Sequence, residues 1–368
     1  MTPARLGALG VGLVAAACVG PEPALPFGAR SEDCAGCHAT IAAEWAASPH
    51  ARAVESPVFQ ALLPEVEAVW GSAARQTCEG CHAPGHSDEP AIGCVSCHAA
   101  VGNHGEFDGR LAIDLAAPLA GPFGASSAPT GAHTSTPRTF LTDAGLCGTC
   151  HEVRGPELFV EHTLSEHRAS PAAAAGDTCV DCHAVPVEDR PAADGGAPRP
   201  GTDHRFGGVD PVWGGTDDEA AAATAATLVR VREALALEVR PTPAGREVVL
   251  TNVGAGHDVP TGVAFLRELR VDVELDGAPF GAPLRIGDVP TAAGQAVALP
   301  TDADAVRAGS LAPGAHVSVA VPTEGALVAT LRFRAIRPEV LDALGLPDVD
   351  APPELEVWRV IDPAAPAE

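Results

Sequence analysis

The sequence predicts a multidomain chain of two unlike parts, a mostly α and irregular N-terminal domain and a C-terminal all-β immunoglobulin-like sandwich. Three observations predict it. Ten of the 11 cysteines fall in five Cys-x-x-Cys-His pentapeptides between residues 34 and 183. After Cys182 cysteines vanish, and beyond residue 228 short segments of alternating apolar and polar residues take over. Aromatic residues are only 4% of the 368, so the N-terminal part needs apolar bulk that its side chains do not supply.

Residues 1–18 read as a signal peptide. Arg5 is the only early charge, and Leu6 to Ala17 is an apolar run too short to span a bilayer. Two cleavages fit. Ala15-Ala16-Ala17 satisfies the small-x-small rule of ordinary secretion, whereas the stretch also resembles a bacterial lipoprotein signal, in which the cysteine after the cut is acylated. The lipoprotein reading is preferred, because Cys18 is the only cysteine outside the five pentapeptides and an unpaired exported thiol is a liability. The chain is therefore expected in the periplasm or at the cell surface, tethered at the outer membrane by lipid on Cys18.

The pentapeptides are Cys34-Ala-Gly-Cys37-His38, Cys78-Glu-Gly-Cys81-His82, Cys94-Val-Ser-Cys97-His98, Cys147-Gly-Thr-Cys150-His151 and Cys179-Val-Asp-Cys182-His183. Two thiols three residues apart add across the two vinyl groups of one haem, and the next residue reaches the iron as its proximal ligand. Zinc would not require a His after every pair, and a disulfide would leave those histidines unexplained. The prediction is five covalently bound c-type haems (iron), held by those ten cysteines, with His38, His82, His98, His151 and His183 as proximal ligands.

The sixth ligands are limited by what the chain lacks. It has no Tyr, all 23 of its basic residues are Arg, and Met1 is the only methionine. That leaves nine further histidines, His50, His86, His104, His133, His162, His167, His204, His257 and His316, against a need of five. Any one of them could be a plain surface histidine. The candidates for distal ligation are His50, His86, His104, His162, His167, His204 and His257, while His316 lies in a strand pattern and reads as structural.

The stretch CAGCHATIAAEWAASPHARA resembles the haem-plus-distal-histidine segment of multihaem cytochromes of the c-552/c-554 type, and related segments occur in the hydroxylamine-oxidoreductase group. The resemblance implies that His50 is a distal ligand to a neighbouring haem. CEGCHAPGHS is similar to a segment whose trailing His is axial; here His86 falls two residues early, and Ala83 stands in place of Gly. CVDCHAVP followed by DHRFGG resembles the closing motif, which implies His204 as distal. The likeness covers about residues 31 to 210. An internal repeat aligns Glu44-Trp45-Ala-Ala-Ser48-Pro49-His50 with Glu166-His167-Arg-Ala-Ser170-Pro171-Ala172, so the second copy carries Ala172 at the ligand position. Either His162 or His167 replaces that ligand, or one haem is five-coordinate.

The haem-packed multihaem cytochrome c domain is placed at residues 31–215. Within it Ile41 to Val54 and Pro57 to Trp70 read as short helices, and Ala116 to Pro137 as a Pro/Gly/Ser-rich loop. The sandwich is placed at residues 228–366. Its strands are read at Val229–Arg232, Leu235–Arg240, Val248–Thr251, Leu269–Leu275, His316–Val321, Ala329–Arg334 and Leu355–Val360, with a helix at Pro338–Leu344. Between two of the strands, Asn252-Val-Gly-Ala-Gly-His257-Asp-Val-Pro-Thr-Gly262 is either a tight Gly/Pro loop or a segment that carries His257 over a haem of the first domain.

These readings predict an electron-transfer relay through closely packed, mainly bis-His haems. The alternatives are an oxidoreductase of small nitrogen or sulfur compounds at one five-coordinate haem, and a subunit of an extracellular cytochrome filament. Without Tyr or Lys, the cross-linked Tyr of hydroxylamine oxidoreductases and the Lys-ligated haem of nitrite reductases are impossible. A formal net charge of −25 excludes nucleic acid and points to redox partner proteins with cationic surfaces. Membrane contact is expected only through the lipid, and an oligomer is compatible with the sequence.

Overall fold

The computed structural model describes residues 30–84, 91–121, 126–127, 132–155, 158 and 161–362. The signal segment with Cys18, and His86, lie outside them. Among the described residues no helix is long and apolar enough to cross a membrane.

The N-terminal part is built of short helices around the pentapeptides. Helix Pro57–Trp70 is the longest there and is legible locally: Ser56 Oγ accepts from the Phe59 amide, Pro57 opens the first turn, and Gly71 at φ +85° ends it. Its buried face is Val58, Leu62, Leu63 and Val66, at helical spacing. The expected helix over Ile41–Val54 is shorter in the structure, which shows Ala39–Ala46 followed by turns. Pro49 explains this, since it disfavours helical backbone at Ser48 before it. The expected loop Ala116–Pro137 contains strand Leu119–Gly121, parallel to Thr134–Pro137.

The C-terminal part is β-rich. One sheet orders His316–Val321, Gly245–Asn252 and Leu235–Thr242, all antiparallel. A second orders Ala278–Pro279, Glu268–Leu275, Leu327–Arg334 and Leu355–Asp362, with Leu284–Ile286 also on Glu268–Leu275. Both sheets feed one core, in which Leu235, Leu250, Leu269, Leu331 and Val357 are fully enclosed. Each such side chain contributes about 1.5–3 kcal/mol through burial. Short strands such as Val289–Ala292 and Ala305–Arg307 form a third sheet that alternation was too brief to reveal.

One expected strand is a helix. Val229–Arg232 belongs to helix Asp217–Ala234, whose start is fixed by a capping box between Thr216 and Glu219. Four alternating residues cannot outweigh an alanine run that favours helix and a cap that starts one. Val231 points into the shared core, and Arg232 Nε donates to the Val357 carbonyl at 2.8 Å.

The two parts share apolar packing. Val58 belongs to the core of the sheets, and Leu62, Val66 and Ala74 pack with Phe265, Leu299 and Val340. A polar seam runs beside it. Thr163 and Thr261 hydroxyls bond at 2.8 Å, the Thr261 hydroxyl donates to Glu166 Oε2 at 2.5 Å, and the Asp258 amide donates to the same oxygen at 3.2 Å.

Burial lifts the Glu166 carboxyl from 4.5 to about 7, against the pull of the Thr261 hydrogen bond. Its folded pKa is therefore raised, so the retained proton stabilises the folded chain fully below about pH 4.5, and that contribution is lost as pH rises through 7. Glu166→Gln cannot ionise. Its thermal midpoint should match wild type near pH 4 and exceed it above pH 7; a difference that does not change with pH would refute this.

Candidate haem sites

Each pentapeptide sits on one helical turn or at its end. Cys94–His98 and Cys179–His183 are five-residue helices, and Cys78, Cys81 and His82 close helix Ser72–His82. A helical turn places residues i, i+3 and i+4 on one face, so the two thiols and the imidazole of each motif point the same way. The ten described cysteines form no disulfide, and no group of three or more His, Cys, Asp or Glu among the described residues converges on one metal ion.

In every motif the imidazole Nδ1 is engaged, which leaves Nε2 free for a metal. His82 bonds the Ala53 carbonyl at 2.8 Å, His98 that of Ala120 at 2.8 Å, His183 that of Gly207 at 2.8 Å, and His38 that of Ala192. His151 differs, for its Nδ1 lies 3.0 Å from the carboxylate Oε1 of Glu161. Such outer partners fix the tautomer and the ring orientation that a metal requires.

Four of the five proximal rings face a second imidazole across a gap. The ring centres lie 6.1 Å apart for His38 and His133, 6.4 Å for His98 and His204, 6.4 Å for His151 and His50, and 6.3 Å for His183 and His257. A metal–imidazole bond of about 2 Å on each side, plus the distance from nitrogen to ring centre, puts two axial ligands about 6 Å apart. A true stack is much closer, as Phe59 on His82 shows at 4.0 Å. Among the described residues no histidine ring faces His82. Leu62, Leu63, Val66, Glu161 and Val263 line the space around it.

Burial holds most of these imidazoles in the neutral form that a metal ligand needs. It lowers His50 to about 4 and also pushes down His82, His98, His183, His204 and His257. His151 goes the other way. Burial disfavours its charge, but the Glu161 carboxylate outweighs this and raises it to about 9.

Of the seven distal candidates, the structure sets His50, His204 and His257 opposite proximal rings. It does not do so for three others. His104 is exposed at the turn after strand Ala100–Asn103, its amide bonded to the Arg110 carbonyl. His162 is half-exposed with its Nδ1 3.7 Å from Glu152 Oε1, and His167 is buried with Nδ1 3.2 Å from the Gly256 carbonyl. Neither ring lies opposite a proximal imidazole, and His167 reaches from the N-terminal part to the loop of the C-terminal part. Sequence reasoning passed over His133, which lies in a stretch without motif or periodicity and was visible only as one of nine spare histidines. The loop at 252–262 carries His257 to the fifth motif.

The motifs adjoin. Cys81 Sγ lies 4.0 Å from the Cys150 carbonyl oxygen, and the Cys147 and Cys179 thiols lie within electrostatic range of each other. Cys97 is within electrostatic range of both Cys147 and Cys150. The fourth motif therefore touches or approaches the second, third and fifth.

Residues 33–99 match the family described as cytochrome c554 and c-prime. A solved structure similar to this chain is the crystal structure of a penta-heme cytochrome c552 from Thermochromatium tepidum, at 18% identity and a TM-score of 0.60, covering 91% of this chain and 98% of that one. No curated protein matches the chain. At that identity the likeness shows the fold, that of a multihaem c-type cytochrome with a large β-rich C-terminal part.

Proposed function

We propose that the chain is an exported electron-transfer protein with five covalent c-type haems, four of them saturated by paired histidines and one, at His82, open to a small ligand. Bound at these sites, haem iron supplies one-electron chemistry, and ligand binding where a sixth position is free. The observation that carries the reading is the set of four imidazole pairs at 6.1 to 6.4 Å. The chain's own residues do the rest. Thiols fix the group, a carbonyl or, at His151, the Glu161 carboxylate orients each proximal ring at Nδ1, and burial favours the neutral form of His50, His98, His183, His204 and His257.

The β-rich part, which we read as an immunoglobulin-like sandwich on its two larger sheets, brings His257 to the fifth motif and covers the space near His82 with Val263. The net charge of −25 favours cationic redox partners, and a lipid on Cys18 would tether the protein to a membrane surface. A second reading, reduction or oxidation of small nitrogen or sulfur compounds at the His82 site, is favoured by the lack of a facing histidine among the described residues and by the mainly apolar lining there.

Haem content tests the core of the proposal. A pyridine haemochrome assay against the intact mass of the mature protein should give five haems per chain. Four or fewer, from a host with complete maturation machinery, would contradict it.

A further inference from the structure

We propose that Glu161 makes the His151–His50 site the most difficult of the four paired sites to reduce, so that the point where the motifs meet is held in the ferric state by a buried carboxylate. This rests on the haem reading above and goes beyond it. The fourth motif is the only one whose proximal Nδ1 donates to a carboxylate; the other four donate to backbone carbonyls. A carboxylate is a stronger, charge-assisted acceptor. It draws the Nδ1 proton, makes Nε2 a stronger donor, and so favours the more highly charged ferric ion over the ferrous one.

The placement of Glu161 is built, not incidental. An antiparallel bridge holds it, with the Val153 amide 2.8 Å from the Glu161 carbonyl and the Glu161 amide 3.2 Å from that of Val153. That bridge starts two residues after His151. Glu161 is 8% exposed, so solvent and salt do little to screen it. Gly262, at φ +72°, comes so close that a Cβ there would stand 3.4 Å from Glu161 Oε1, and the loop of the C-terminal part thereby closes over the carboxylate.

Two neighbours could imitate the effect, and neither does. Asp210 is within electrostatic range of His151, but its side chain is exposed and its Oδ1 accepts from Arg267 Nη2 at 2.7 Å, which balances its charge. Glu152 is 1% exposed and next to His151 in sequence, yet it accepts from the Ser165 hydroxyl at 2.6 Å and amide at 3.0 Å. It touches no proximal imidazole in these bonds.

The test is a spectropotentiometric titration of the fully loaded protein, with each low-spin ferric signal followed by electron paramagnetic resonance. In wild type, one low-spin signal should remain ferric at potentials where the other three have been reduced. In Glu161→Gln that signal's ferrous-to-ferric ratio at fixed potential should rise about tenfold, 59 mV for a one-electron couple, and its g-anisotropy should change. Glu152→Gln should leave it unmoved. If both variants shift it equally, buried charge and not the imidazole bond is at work, and the proposal falls. Should Glu161→Gln not load, the wild-type titration decides alone, since four paired signals reduced together would overturn the proposal. Five loaded haems with no outlying potential would refute this inference and leave the haem reading intact.

Discussion

His133→Ala should turn one further haem high-spin and double the cyanide taken up, from one equivalent per chain to two. Among the described residues, His133 is the one histidine ring set opposite His38, at 6.1 Å between ring centres. Removing the imidazole leaves a gap that alanine cannot reach across, and the remaining described candidates are committed elsewhere. His104 is exposed on its turn, and His204 faces His98 with its own Nδ1 2.9 Å from the Thr202 carbonyl. Iron with one vacant axial position binds exogenous ligand and changes spin state, so the effect is a whole haem's worth of signal. Haem content should stay at five, because attachment depends on Cys34 and Cys37. An unchanged low-spin population in His133→Ala would mean that another residue, such as His86, supplies the ligand at the first motif.

The same variant separates what the sequence could carry from what it could not. The five pentapeptides were legible because thioether attachment and proximal ligation are set by a spacing of four residues on one helical turn. Distal ligands come from far along the chain, and only a recurring local pattern can betray them. His50 and His204 lay in such patterns. His257 announced itself through the Gly/Pro loop around it. His133 had neither signal, and its place opposite His38 arises from the path by which residues 132–137 return beside strand Leu119–Gly121.

The C-terminal strands from Leu235 to Leu355 read well because alternation over six to eight residues reflects one buried face. Val229–Arg232 misled for the reason that makes short windows unreliable: two apolar residues two apart fit a strand and a buried helix edge equally. Glu161 could not have been found at all. Its meaning depends on an antiparallel bridge to Val153 and on a carboxylate reaching back to His151, neither of which leaves a trace in residue spacing.

We propose that four irons are saturated by paired imidazoles and that the one at His82 is not. The geometry behind it is the contrast between four facing rings at 6.1 to 6.4 Å and His82, whose ring contacts Phe59 at 4.0 Å and faces no described histidine. Its surroundings also favour a small guest. Leu62, Leu63, Val66 and Val263 provide an apolar lining, and burial there disfavours the charged form of His82. Cyanide titration of the ferric wild-type protein, read by absorbance and electron paramagnetic resonance, tests this most directly. One high-spin component should disappear with the binding of one equivalent, while four low-spin signals remain unchanged. A protein that is wholly low-spin and takes up no cyanide, or one that binds two or more equivalents, would contradict it.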